Sequence, residues 1–282
     1  MSQNRTCRSE WTIGVCPWGL DVHQINVSEP LTIVRDEADD PGISLALQYA
    51  YLIQNKDYIL NRCGSEDILD FYFGPLRRLA KSSVYYNGAL VDWESWKGPQ
   101  DKDAVSKAFY LPSTRISSLI TGRLLRAHEA VPAAAPFVHT DFADQLARFY
   151  GSQQSLLRNI VFPDLLESLL PSDLYHDIFC KVFRGGGIRV DDDLRVCIEP
   201  YLYCYFSWPT TLKAWTPLLL ALYYILNTES IEIVFIEQPQ LGLQGFHCEL
   251  VDRLVSWLAY TASRQVIIST TYRHGETDVS AQ

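Results

Sequence analysis

Residues 231–243 read Ile-Glu-Ile-Val-Phe-Ile-Glu-Gln-Pro-Gln-Leu-Gly-Leu. Five of the first six are apolar and rich in Ile and Val; the run then meets an acid, Glu237, and a turn signal in Gln238-Pro239-Gln240. A short apolar run closed by a turn is the pattern of a parallel strand buried on both faces. In open α/β sheets the ligand crevice lies beyond the carboxyl ends of such strands. The stretch therefore predicts an α/β fold and puts Glu237 at the edge where a site would be built.

Working outward, residues 265–272 (QVIISTTY) repeat the pattern: an apolar run that ends in Ser269, Thr270 and Thr271. Upstream, residues 215–226 form the most apolar run of the chain, too short to span a bilayer and suited to a buried helix. Thr216 and Pro217 fit the first turn of that helix. Residues 184–199 (RGGGIRVDDDLRVCIE) read as a hairpin, with Asp191, Asp192 and Asp193 at its turn. The alternate spacing and closing glutamate of a calcium loop are missing, so the three acids read as a solvated turn. Residues 109–115 (FYLPSTR) are an apolar run followed by Pro112, Ser113 and Arg115.

Taken in this order, the segments resemble the ATP-binding-cassette-like ATPases of the AAA-15 and OLD type, relatives of the RecF and Rad50 heads. The family's Glu-Glu-Pro-Glu corresponds to Glu237-Gln238-Pro239-Gln240, and its Ser-Thr-His-Ser to Ser269-Thr270-Thr271-Tyr272. Its Ile-Pro-Ala-x-Arg corresponds to the stretch ending at Arg115, and its signature helix to residues 216–222. The resemblance implies that Glu237 is the Walker B acid that holds nucleotide-bound magnesium. It implies that Gln238 stands where a carboxylate positions the attacking water, and Thr271 where a histidine senses the γ-phosphate. Thr210 and Thr211, after Pro209, match the signature Ser-Gly that contacts nucleotide held by the opposite subunit.

The same family opens with a strand, Gly-x-x-x-x-Gly-Lys-Ser/Thr and a helix, whose backbone N–H groups wrap the phosphates. No such motif occurs in this chain. At the matching place, strand-like residues 31–34 and helix-like residues 43–53 flank Arg35-Asp36-Glu37-Ala38-Asp39-Asp40-Pro41-Gly42. Arg35, Ala38 and Asp40 replace glycines, Pro41 replaces the lysine and Gly42 the hydroxyl residue. Asp36, Glu37, Asp39 and Asp40 would sit where a triphosphate lies. At ~6 Å each like-charge pair costs about 1–3 kcal/mol, and Pro41 has no N–H to donate. Such a loop repels phosphate; a metal ion, a basic patch on a partner, or plain solvent are its remaining counterparts.

Glu237, Ser269, Thr270 and Arg115 survive from the family pattern. Each also has a structural reading: a loop cap for Glu237, a strand end for Ser269 and Thr270, an ion pair for Arg115. An amide at 238 cannot take a proton at neutral pH. With both the cis and trans halves eroded, the resemblance implies a cassette-ATPase-head-like P-loop NTPase core, its mixed or parallel sheet flanked by helices and carrying a helical insertion. Within residues 1–282, the expected division is an N-terminal half (1–112), the insertion (113–183), a C-terminal half (184–273) and a tail (274–282). The expected function is that of a pseudo-ATPase. It would be a non-hydrolysing scaffold or regulatory partner without a cofactor, pairing with a protein or a second copy through the head-like face. The alternative is residual Mg-ATP binding or slow hydrolysis, as a dimer or with an active paralogue. A third is an unrelated α/β binding protein.

Composition sets the outer bounds. The chain has 282 residues, 48% hydrophobic and 20% charged, as a globular protein has. Its net charge of −9 argues against duplex nucleic acid, which needs clustered Lys and Arg, and no heptad run is present. The seven cysteines form no Cys-x-x-Cys pair, which with no signal peptide points to free thiols in a reducing, cytoplasmic compartment. Asn87-Gly88 between apolar runs predicts a hairpin. Residues 11–15 read as a strand, 117–172 as helix broken at 131–136, and 249–260 as an amphipathic helix. Trp93 and Trp96 lie in a polar loop and read as packing residues.

Overall fold

Ile233, Val234, Phe235 and Ile236 are all buried. A strand apolar at every position needs cover on both faces, and the way the chain crosses its sheet supplies it. The computed structural model describes residues 11–15, 23–26, 30–35, 47–48, 51, 55, 58, 83–86, 89–90, 108–119, 137–153, 162–190, 195–198 and 207–270.

Ten strands are seen among these residues. An antiparallel sheet consists of β1 (Trp11–Val15), β2 (His23–Asn26), β4 (Ser83–Tyr86) and β5 (Ala89–Leu90), in the order β2-β1-β4-β5. In it Tyr85 pairs with Leu90 and Tyr86 with Ala89, antiparallel as the predicted hairpin requires; Asn87 and Gly88 themselves lie outside the described residues. A parallel sheet consists of β3 (Leu31–Arg35), β6 (Ala108–Leu111), β9 (Ile233–Glu237) and β10 (Gln265–Thr270), in the order β3-β10-β9-β6. The hairpin expected at residues 184–199 is β7 (Ile188–Val190) against β8 (Val196–Ile198). Its three-Asp turn lies outside the described residues, as do Trp93 and Trp96.

The helices are α1 (Phe137–Ser152), α2 (Phe162–Glu167), α3 (Ser172–His176), α4 (Thr210–Leu226) and α5 (Phe246–Tyr260). A 3-10 segment, Ser113–Leu119, follows β6, and a π-helical segment, Asp177–Val182, follows α3. The described part of the expected helical region is thus helical, in short pieces.

From β3 the chain travels to the far end of the sheet at β6, then steps back through β9 to β10. Right-handed crossovers that run in opposite directions lie on opposite faces. Side chains alternate accordingly. Phe109, Leu111, Val234, Ile236, Val266 and Ile268 enter the main core with residues of α1, α4 and α5. Tyr110 and Phe235 face the other way, where Tyr51, from the first crossing, packs at ring-centroid distances of 5.5 and 6.1 Å. The reversal leaves the carboxyl ends of β3, β10 and β9 at the place where open α/β sheets carry their crevice.

A buried polar network ties the first crossing to the helices. The hydroxyl of Tyr51 and Nε2 of Gln145 (2.6 Å) donate to Asp141, which is fully buried. Tyr58 reaches the same carboxylate at 3.3 Å, and Tyr224 of α4 donates to Gln145 Oε1 at 3.0 Å. These bonds satisfy polar groups that burial would otherwise penalise.

Helix α4 corrects one expectation. Thr216 and Pro217 do not open the helix; it begins at Thr210, and Pro217 lies inside it. An interior proline lacks an N–H for the carbonyl one turn back. Burial offsets the loss: Trp215, Leu219 and Leu220 are fully buried. The Thr216 hydroxyl separately donates to Leu212 O at 2.8 Å. Helix α5 starts at Phe246, three residues before the expected Glu249, directly after Gly245 at φ +53°.

Candidate functional site

Glu237 is the last residue of β9 and is 4% exposed. Its Oε2 accepts from the Ser113 backbone N–H at 2.8 Å and from the Ser113 hydroxyl at 3.1 Å. The reason is topological. Strand β6 runs parallel to β9, with Leu111 opposite Ile236, so Pro112 turns Ser113 toward the carboxylate. Glu237 thereby caps the first residue of the 3-10 segment, a use of a carboxylate at a helical N-terminus. Among the described residues, Glu237 Oε1 receives no hydrogen bond.

Arg115 comes from the same segment and is fully buried. Its Nη1 donates to Glu237 O at 3.2 Å and Pro112 O at 3.4 Å; its Nη2 donates to Gln238 O at 3.1 Å and Pro239 O at 2.9 Å. The sequence suggests an ion pair; these four bonds go to main-chain carbonyls, and the charge of Glu237 acts on the guanidinium as well. Burial pushes the guanidinium down to about 10, against an upward pull from Glu237, so it remains charged at neutral pH. The segments 109–115 and 231–243, far apart in sequence, are thus joined through two side chains, Ser113 and Arg115.

Gln238 has a left-handed backbone, φ +46°. Its N–H donates to Ser269 O at 2.8 Å. Gln240 is buried and bonded at both ends of its amide: Oε1 accepts from the Thr270 hydroxyl at 3.2 Å, and Nε2 donates to Asp252 of α5 at 2.6 Å. The amide is a chemical requirement here, because a glutamate at 240 would set two carboxylates face to face. Ser269 is the register partner of Glu237 on β10. Its hydroxyl is buried and has no hydrogen-bond partner among the described residues. Arg35 closes β3 as its last residue, paired with Thr270, rather than opening the following loop.

Thr210 is the exposed first residue of α4, and Thr211, next to it, is half-buried. The residue before Thr210, Pro209, makes no side-chain cap bond. The turn after Glu237 comes close to this helix start. A Cβ on Gly242, at φ +80°, would lie 3.4 Å from Ala214 Cβ and 3.9 Å from Thr210 Cγ2.

No family model matches this sequence, and no curated protein matches it. Among solved structures the chain is similar to the Smc head in the crystal structure of that head bound to the C-winged helix domain of ScpA. The identity is 13% and the TM-score 0.37, over 68% of this chain and 57% of that one. The chain spans less than two thirds of that head's length.

The structure therefore brings together Glu237, Gln238, Arg115, Ser269 and Thr270, and sets Thr210 beside the same turn. Asp40, Pro41, Gly42 and Thr271 lie outside the described residues. The sequence names Ser113 and Gln240 only as members of their segments, without a role, and does not point to Asp252. Pro and Ser closing an apolar run are a turn signal, and that signal marks Ser113. Asp252, on the face of an amphipathic helix, carries no such signal. Among the described residues, no group of three or more His, Cys, Asp or Glu is placed to hold a metal ion. No described helix is long and apolar enough to cross a membrane.

Proposed function

We propose that this chain is a cassette-ATPase-like protein of the AAA-15 or OLD kind that does not hydrolyse nucleotide and acts as a scaffold or regulatory partner. The observation that carries this reading is Gln238. It follows the strand-terminal acid directly, and its amide cannot serve as a base where the chemistry needs one. In support, one oxygen of Glu237 is already occupied by Ser113. The acids at Asp36, Glu37, Asp39 and Asp40 do not suit a triphosphate on charge grounds. Partnering with a protein or a second copy is supported by Leu241 and Phe246, 41% and 40% exposed just beyond the turn. The test is phosphate release from Mg-ATP by the purified chain. A background rate is expected; turnover that is abolished in Glu237→Gln would overturn the reading.

Residual binding is the second reading, and one observation favours it. The Ser269 hydroxyl, buried without a partner among the described residues, lies in register with Glu237. A buried unsatisfied hydroxyl costs free energy that a ligand would recover. Ser269 Oγ and Glu237 Oε1 are hard oxygen donors of the kind that hold magnesium.

A further inference from the structure

We propose that Arg115 is the positioning residue of the Glu237 turn, its guanidinium doing for Gln238 what a glycine would otherwise do. This holds for both readings of the site.

Left-handed backbone is ordinarily left to glycine, or to Asn and Asp, whose short side chains bond locally. Gln238 is neither, yet it sits at φ +46° in the middle of the turn. The strain persists where surrounding contacts over-determine it, and those contacts can be named. The Gln238 N–H is fixed to Ser269 O at 2.8 Å, and its carbonyl accepts from Leu241 N–H at 3.0 Å. The same carbonyl, with those of Glu237 and Pro239, converges on Arg115.

Three successive carbonyl oxygens aimed at one buried point repel one another unless a cation lies there. A planar fork meets them from two nitrogens at fixed positions, Nη1 on Glu237 O and Nη2 on Gln238 O and Pro239 O; an ammonium has its three donors on one freely rotating nitrogen and cannot reproduce that division. The segment that brings Arg115 also brings Ser113. One short stretch therefore grips Glu237 twice, at its carboxylate through Ser113 and at its carbonyl through Arg115. The direction of the Glu237 side chain is set by that double grip.

The test pairs hydrogen exchange with a double-mutant cycle on the full chain: Arg115→Met, Gln238→Gly and both together. Arg115→Met is expected to raise exchange at the Gln238 and Leu241 amides about tenfold or more relative to Ile267 in the adjacent strand. Gln238→Gly is expected to lower the urea midpoint less in the Arg115→Met protein than in the parent, or to raise it there. A merely structural arginine would raise exchange evenly through the sheet and show no coupling to residue 238. Either of those results overturns the proposal. If Arg115→Met does not fold, Arg115→Lys, which keeps the charge without the fork, carries the same two expectations.

Discussion

Ser269 and Glu237 are register partners on adjacent parallel strands, so a hydroxyl and a carboxylate share one side of the sheet at its carboxyl edge. Ser113, just beyond the other neighbouring strand, β6, grips the carboxylate. Glu237 therefore has a structural duty that can be measured separately from any ligand.

Glu237→Ala removes the acceptor of two bonds from Ser113. A loss of about 1–3 kcal/mol of stability is expected. Glu237→Gln keeps an acceptor oxygen and should lose less. Urea unfolding of the three proteins measures both; an alanine variant as stable as the parent would remove the capping role.

Gln240→Glu is the conservative change that the resemblance invites, since the family carries an acid there. It should destabilise by about 1–3 kcal/mol at neutral pH, because it faces Asp252 with a like charge where a 2.6 Å hydrogen bond now stands. Adding Asp252→Asn should recover most of the loss. No recovery in that thermal-unfolding cycle would mean that the two side chains are not coupled.

Asp141→Ala strips the shared acceptor from Tyr51, Gln145 and Tyr58. About 2–4 kcal/mol is expected, since one buried carboxylate serves three donors and its removal takes an acceptor from each. Asp141→Asn, which keeps one acceptor oxygen, should cost roughly half as much. Denaturant midpoints decide, and an alanine effect below that of the asparagine change would contradict the network.

Asp177 is held below its ordinary 3.8 by hydrogen bonds from Lys181 first and Arg253 second. A carboxyl depressed in the folded state stabilises above its ordinary value, and that contribution is lost as pH falls through the lowered one. The thermal midpoint of Asp177→Asn should therefore lie slightly below the parent's at pH 7 and converge with it in strong acid. The difference should shrink in high salt, because the cluster is at the surface. A gap that persists in acid would point to packing instead.

Much of this was legible from local pattern. The runs at 231–237 and 265–270 are apolar at nearly every position, so only a doubly covered strand suits them, and Asn87-Gly88 dictates its own hairpin. What escaped depends on contacts across the sheet. Nothing near Arg115 in sequence says that its partners are the carbonyls of residues 237–239, since parallel pairing of β6 with β9 creates them. The start of α4 was misplaced because Pro217 looks like a first-turn proline. The burial that lets a helix run through it comes from the strands and helices packed around Trp215 and Leu219. Gln240 looked like an eroded acid, and Asp252, twelve residues on, gives the amide its purpose.

The most direct test of the central claim, a cassette-like core without nucleotide chemistry, is calorimetric titration of the purified chain with magnesium and ATP. The account predicts no binding heat at millimolar ATP. A micromolar dissociation constant, lost when Glu237 and Ser269 are replaced, would contradict it.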